Sequence, residues 1–242
     1  MNSIKIPIRK RTQDDGEKPF WISFSDLMTA LMVLFLVATT TTLMTATKAV
    51  SAAEGRHQSK INDIKKLFDG IREAAKPFPE IRVNENEYTI DFGDAAYFDT
   101  DSNRLNKRQE QFLRDFVPII LRSARSTLGR RWIKQVIVDG FADPRGTYIH
   151  NLNLSMQRSE RVLCVLLAPG LNKQPTLNDE DKTTIRKLFL VGGSSFNSLR
   201  PKLEESRRIE LRLEFLGEDD NGNQTHEIPR LDNDPRCPLD KA

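Results

Sequence analysis

Residues 136–167 read VIVDGFADPRGTYIHNLNLSMQRSERVLCVLL, and this stretch decides the fold of the larger part of the chain. Its opening belongs to Ile133 to Asp139, an apolar and β-branched run of the kind that forms strands. Gly140 ends the strand, and a loop with Pro144 and Gly146 follows. Leu154 to Leu167 then reads as a helix, with Ser155 near its start and Pro169-Gly170 beyond its end. Upstream, Tyr88 to Phe92 reads as a strand and Asn106 to Leu121 as an amphipathic helix. Downstream, Leu177 to Leu190 reads as a helix capped by Thr176 or Asn178. Gly192-Gly193 and Pro201 mark an irregular crossing, and Arg208 to Phe215 alternates as a last strand. Strand and helix alternate from Glu80 to residue 216, which predicts an α+β domain over 80–216.

Several fixed spacings in the quoted stretch resemble the signature of the OmpA-like peptidoglycan-binding domain, a mixed α/β sandwich. A Gly-x-x-Asp turn supplies Gly140 and Asp143, Gly146 follows three residues on, then come Asn151, Leu154-Ser155 and Arg158. The resemblance implies a peptidoglycan site built on Asp143 and Arg158, with Asn151 and Ser155 beside them. Its ligand would be the diaminopimelate of the peptide stem, whose end carries an ammonium and a carboxylate. An Asp accepts from the first and an Arg forks onto the second. A plain salt bridge clamping turn to helix is the competing reading of the same pair. Phe141 and Pro144-Arg145 depart from the family's usual loop, and Arg207-Arg208-Ile209 resembles its terminal Arg-Arg motif.

The N-terminal part has a different character. Residues 20–47, FWISFSDLMTALMVLFLVATTTTLMTAT, hold a single ionisable side chain, Asp26. A helix rising ~1.5 Å per residue needs about 20 apolar positions to cross the hydrocarbon core, so the run predicts a transmembrane helix over 20–47. A carboxyl in that setting is tolerated when neutral, paired or beside water, so Asp26 can take a proton from one side and release it to the other. Alternatively, Ser23, Ser25 or Asp26 caps a helix whose lipid-facing part begins at Leu27. The Thr and Ala residues from Ala38 to Thr47 suit close helix packing and interhelical hydrogen bonds, which predicts partners within the membrane.

Lys5, Arg9, Lys10, Arg11 and Lys18 precede the run, against Lys48 and Arg56 after it. That bias predicts a cytoplasmic tail over residues 1–19 and a domain outside the inner membrane. A signal peptide cut near Ala52 competes, but the apolar stretch exceeds the ~7 to 15 residues of a signal core. Ile61, Ile64, Phe68 and Ile71 make one helical stripe in the segment 48–79, which Pro77 and Pro79 close. The stripe is either a parallel seam of a homodimer or a face docked on the chain's own domain.

A net charge of +3, spread among acidic residues, gives no basic stripe for nucleic acid. His57, His150 and His226 share no metal-ligand spacing, and Asp99-x-Asp101-x-Asn103 lacks the glycine and acidic ligand of a calcium loop. Neither a nucleophile motif nor a phosphate loop is visible, so neither enzyme nor resident cofactor is expected. Cys164 and Cys237 are either one disulfide or two free thiols. Beyond Gly217, Asp, Asn, Pro and Gly dominate, which predicts an extended tail over 217–242.

Tail, span with an Asp near its cytoplasmic end, helical linker and OmpA-like domain together resemble the MotB class of stator subunits. The context FWISFSDLMT around Asp26 is most similar to the corresponding subunits of Zorya anti-phage defence systems. The resemblance implies a homodimer inside a ring of multi-span MotA-like subunits. It also implies ion passage by way of Asp26, with H+ as the ion and Na+ the alternative, and anchorage to peptidoglycan. A flagellar stator, a passive wall tether and a wall-fragment sensor are the other functions this architecture can serve.

Overall fold

The computed structural model describes residues 18–168, 177–217, 220 and 237–241. The expected cytoplasmic tail up to residue 17 and most of the expected tail from 217 onward lie outside the described residues. Two units divide at Arg56 and His57. Helix α1, Lys18–Ala74, contributes to both.

In the first unit, α1 includes an 18-residue window of mean hydropathy 2.0 with no part of it buried. By length and composition this helix can cross a membrane. Leu31, Leu34, Phe35 and Leu36 all lie exposed, a helix apolar on every side that needs lipid or partners to cover it. The hydroxyls of Thr39, Thr40, Thr41, Thr42, Thr45 and Thr47 each donate to a carbonyl three or four residues back in their own helix. In the single chain these hydroxyls thus find their acceptors within their own helix. Small size is what this stretch offers a neighbour.

In the second unit, the end of α1 is part of the hydrophobic core. Ile64, Phe68 and Ile71 are buried there, while Ile61 is exposed. The Phe68 ring lies 5.8 Å from Tyr88 and 6.2 Å from Phe215. Asp63 accepts the Trp132 indole N–H at 3.1 Å and pairs with Arg131 at 3.6 Å. From Ile64 onward the apolar stripe thus docks on the chain's own domain, the second of the two readings the sequence left open. Periodicity shows that a helix face is apolar but not what covers it.

The rest of this unit follows as β1 (Arg82–Asn84), β2 (Thr89–Asp91), α2 (Lys107–Arg125), α3 (Thr127–Trp132), β3 (Ile133–Gly140), α4 (Tyr148–Leu167), α5 (Asp179–Leu188), β4 (Phe189–Gly193), α6 (Leu203–Ser206) and β5 (Ile209–Phe215). The strands form one mixed sheet in the order β1-β2-β5-β3-β4, in which only β3 and β4 run parallel. An α+β fold is therefore what the chain adopts. Alternation decides which face of the sheet is covered. Val136, Val138, Ile209, Leu211 and Leu213 are buried in the core with Phe116 and Ile120 of α2 and Val162 of α4. On the other face Asp139, Glu210, Arg212 and Glu214 are charged, and Arg212 pairs with Asp139 at 3.1 Å.

Three local expectations change. Helix α4 starts at Tyr148 with Thr147 as its cap, six residues before Leu154, so Ser155 is not near its start. Asn178 caps α5, while Thr176 lies outside the described residues. Phe189 to Gly193, read as a helix end and a turn, is an edge strand held by β3 alone.

Cys164 on α4 and Cys237 form a disulfide with Cα atoms 5.3 Å apart, closing a sequence separation of 73. An ion pair from Arg161 to Asp240 at 2.6 Å lies beside it. Restricting so long a loop in the unfolded chain stabilises the fold by about 2–4 kcal/mol. The Cys237→Ser variant is expected to lose that amount, seen as a lower urea midpoint. The same drop should follow reduction of the wild type but leave the variant unchanged.

Candidate functional site

The site forms where the carboxyl end of β3 meets the start of α4. A Cβ on Gly140 would sit 2.0 Å from the Ser155 carbonyl oxygen and 2.7 Å from the Ser159 hydroxyl, so α4 presses against this strand end only because Gly140 has no side chain. The loop between them turns back at Gly146, whose φ of +94° favours glycine. Thr147 then accepts from the His150 amide and opens the helix. The anion-favouring helix start thus lies at Tyr148, not at the residue 154 suggested by the sequence.

Asp143, Asn151 and Arg158 line a cavity of about 220 Å³ with Thr100, Arg145 and His150. Asp143 is buried, and its carboxylate oxygens accept four bonds. Oδ1 takes the Arg145 amide and Nε, both at 3.1 Å, while Oδ2 takes Arg145 Nη2 at 2.5 Å and Arg207 Nη1 at 3.2 Å. The Arg145 guanidinium holds this carboxyl down at about 2, so it carries its charge throughout the neutral range.

Arg158 is fully buried, and backbone oxygens hold it in place. Nε donates to Ser102 at 2.9 Å, Nη1 to Phe141 at 2.7 Å and Nη2 to Asp99 at 3.0 Å, with the Phe98 ring 5.1 Å away. Each terminal nitrogen carries a second N–H beyond these bonds. Burial, with Arg207 as a nearby like charge, lowers this guanidinium to about 10, which still leaves it charged at neutral pH. Asp143 and Arg158 share the cavity without bonding to each other, so the clamp reading of this pair does not describe the fold. The ion pairs at Asp143 come from Arg145 and Arg207.

Asn151 lines the cavity and donates from Nδ2 to the Arg145 carbonyl at 2.8 Å, bracing the loop. Ser155 does not line it. Its buried hydroxyl donates to Leu152 and accepts from the Ser195 amide at 3.1 Å, which ties α4 to the segment after β4. Packing, and not ligand contact, is what the fold assigns to Ser155.

Arg145, Arg207 and the His150–Asp101 pair, 2.7 Å apart, are additions that sequence reasoning did not place here. The first had a local signal, since a side chain two positions after an Asp readily bonds it. The second came into view only as half of an Arg-Arg motif. A second cavity of about 220 Å³, lined by Asn103, Arg104, Asn153 and Gln157, shares Asp101 and His150 with the first. Among the described residues, no group of acidic, His or Cys side chains is arranged to hold a metal ion. Asp26 lies on the exposed part of α1, one residue after Ser25, whose carbonyl accepts the Thr29 hydroxyl at 2.7 Å.

Comparison with known proteins places these features in a family. Residues 8–55 match a family model described as membrane MotB of the proton-channel complex MotA/MotB. A peptidoglycan-associated lipoprotein of Mesorhizobium japonicum is 29% identical over 92 residues, covering 35% of this chain and 46% of that one. Among solved structures, the OmpA-like domain of FopA1 from Francisella tularensis is similar at 22% identity over 57% of this chain and 82% of that chain, with a TM-score of 0.35. The Zorya protein ZorB of Escherichia coli O139:H28 is 40% identical over 235 residues, 96% of either chain. Identity at that level across almost the whole of both sequences makes this protein a member of the ZorB family of MotB-type proteins.

Proposed function

We propose that this protein is the wall-anchored, ion-conducting stator subunit of a proton-driven rotary motor in the inner membrane, and that the motor powers anti-phage defence of the Zorya type. One observation carries the reading: a single chain combines a lone carboxyl in an otherwise uncharged span with a cavity lined by a buried Asp and a buried Arg, suited to a zwitterion. Its matches to a proton-channel family model and to a Zorya protein support the same reading.

The cell wall is the fixed point of this mechanism. Asp143 accepts from the ammonium of diaminopimelate, and the remaining N–H groups on the terminal nitrogens of Arg158 donate to its carboxylate. The span crosses once with its N-terminus in the cytoplasm, and the disulfide suits an oxidising periplasm. Two copies sit within a ring of multi-span MotA-like subunits. With the 61–71 stripe docked on its own domain, the small Thr and Ala face of the span is left for pairing. Protons pass by way of Asp26, each worth ~2.3 kcal/mol per 100 mV of membrane potential. Alternate charging and neutralisation of Asp26 changes which ring subunit it prefers, and the ring steps around the anchored dimer.

Sedimentation of the detergent-solubilised full chain with purified sacculi tests the anchor. Asp143→Asn keeps the side-chain shape but removes its charge, and loss of a charged hydrogen bond weakens binding by about tenfold or more. Retention equal to wild type would contradict the assignment of the cavity.

A further inference from the structure

We infer that Arg145 is an internal competitor for the cation seat of the cavity, so that a ligand ammonium binds Asp143 only by displacing the Arg145 side chain. The inference rests on the wall-binding reading and adds a residue that sets its threshold. A carboxylate has about four lone-pair positions, and all four of Asp143 are taken. An incoming ammonium therefore finds no open acceptor.

Of the side chains on Asp143, Arg145 is the one able to leave. Its side chain is 51% exposed, whereas that of Arg207 is 13% exposed and is also fixed through Nε to the Phe98 carbonyl at 2.8 Å. Apart from Asp143, the Arg145 guanidinium holds the Thr100 hydroxyl at 3.0 Å, a neutral contact that water replaces readily. When the side chain departs, the Arg145 amide keeps its bond to Asp143, and Asn151 keeps its bond to the Arg145 carbonyl. The loop thus stays in place while the seat opens. Seating an ammonium costs the loss of a two-point guanidinium contact, so a ligand with an amine alone binds poorly. One that also brings a carboxylate to Arg158 recovers the difference.

The test is titration calorimetry of the full chain in nanodiscs with two stem tripeptides, one ending in diaminopimelate and one in lysine. Apparent affinity scales with the fraction of protein whose seat is open, so Arg145→Ala is expected to tighten both peptides by the same factor, about tenfold. Arg145→Gln, which keeps the stem and a polar end, should do the same and guards against a local collapse in the Ala variant. Weaker or unchanged binding of the diaminopimelate peptide in both variants would overturn the inference, since Arg145 would then contact the ligand or be irrelevant to it. Asp143→Asn separates the two levels. If it abolishes binding while the Arg145 variants change nothing, only the competitor role fails; if it binds as wild type, the wall-binding reading fails with it.

Discussion

Asp26→Asn is expected to abolish protection against phage in cells, down to the level of a strain lacking the protein, while leaving its abundance and its retention on sacculi unchanged. Asn matches Asp in shape and volume, and the uncharged amide costs less in the span than a carboxylate does. Insertion and packing are thus preserved, and the lost property is the ability to ionise. No other side chain between residues 20 and 47 can replace it. Asp26→Glu keeps the ionisable group but moves it by one methylene, and it is expected to retain partial protection. Plaque counts on the variant strains, with immunoblots for abundance, check this. Full protection by the Asn variant would remove the proton from the mechanism.

The second large effect concerns stability. Arg158→Ala is expected to destabilise the second unit by about 3–5 kcal/mol, because its guanidinium is the donor to three backbone carbonyls, each left short at roughly 1–3 kcal/mol, and its removal leaves a cavity in a fully buried position. Truncation strands the carbonyls of Ser102, Phe141 and Asp99 and removes the cation beside Phe98. In a unit of this size that corresponds to a fall in melting temperature of roughly 6–20 °C, measurable by thermal unfolding. Arg158→Lys keeps the charge but reaches fewer of the three carbonyls, so it is expected to rescue only part of the loss. Asp143→Asn, whose partners are half-exposed or held elsewhere, should melt much closer to wild type. Loss of wall binding in an Arg158 variant is therefore read together with its melting temperature, whereas loss in an Asp143 variant reports on the cavity.

How far the sequence could be read follows from how local each determinant is. The turn from Gly140 through Asp143 to Gly146 was legible because the residues that form it lie within a few positions of one another, whereas the helix after it starts six residues earlier than read. The span was legible because insertion depends on composition summed over one helix. Features that depend on distant partners were not. Phe189 to Gly193 became a strand through parallel pairing with β3, which no local pattern announces. Ser155 looked like a ligand contact because its position coincides with a motif, yet its neighbours are Leu152 and Ser195. The guanidinium that faces Asp143 also changed identity, from Arg158 to Arg145 and Arg207, once the strand ends were brought together.

The most direct measurement is proton flux through the protein co-purified with its multi-span partner and reconstituted in liposomes under an imposed membrane potential. The mechanism predicts a flux with Asp26 in place and none above empty liposomes with Asp26→Asn. Equal flux from the two would contradict it, as would failure of a multi-span partner to co-purify at all.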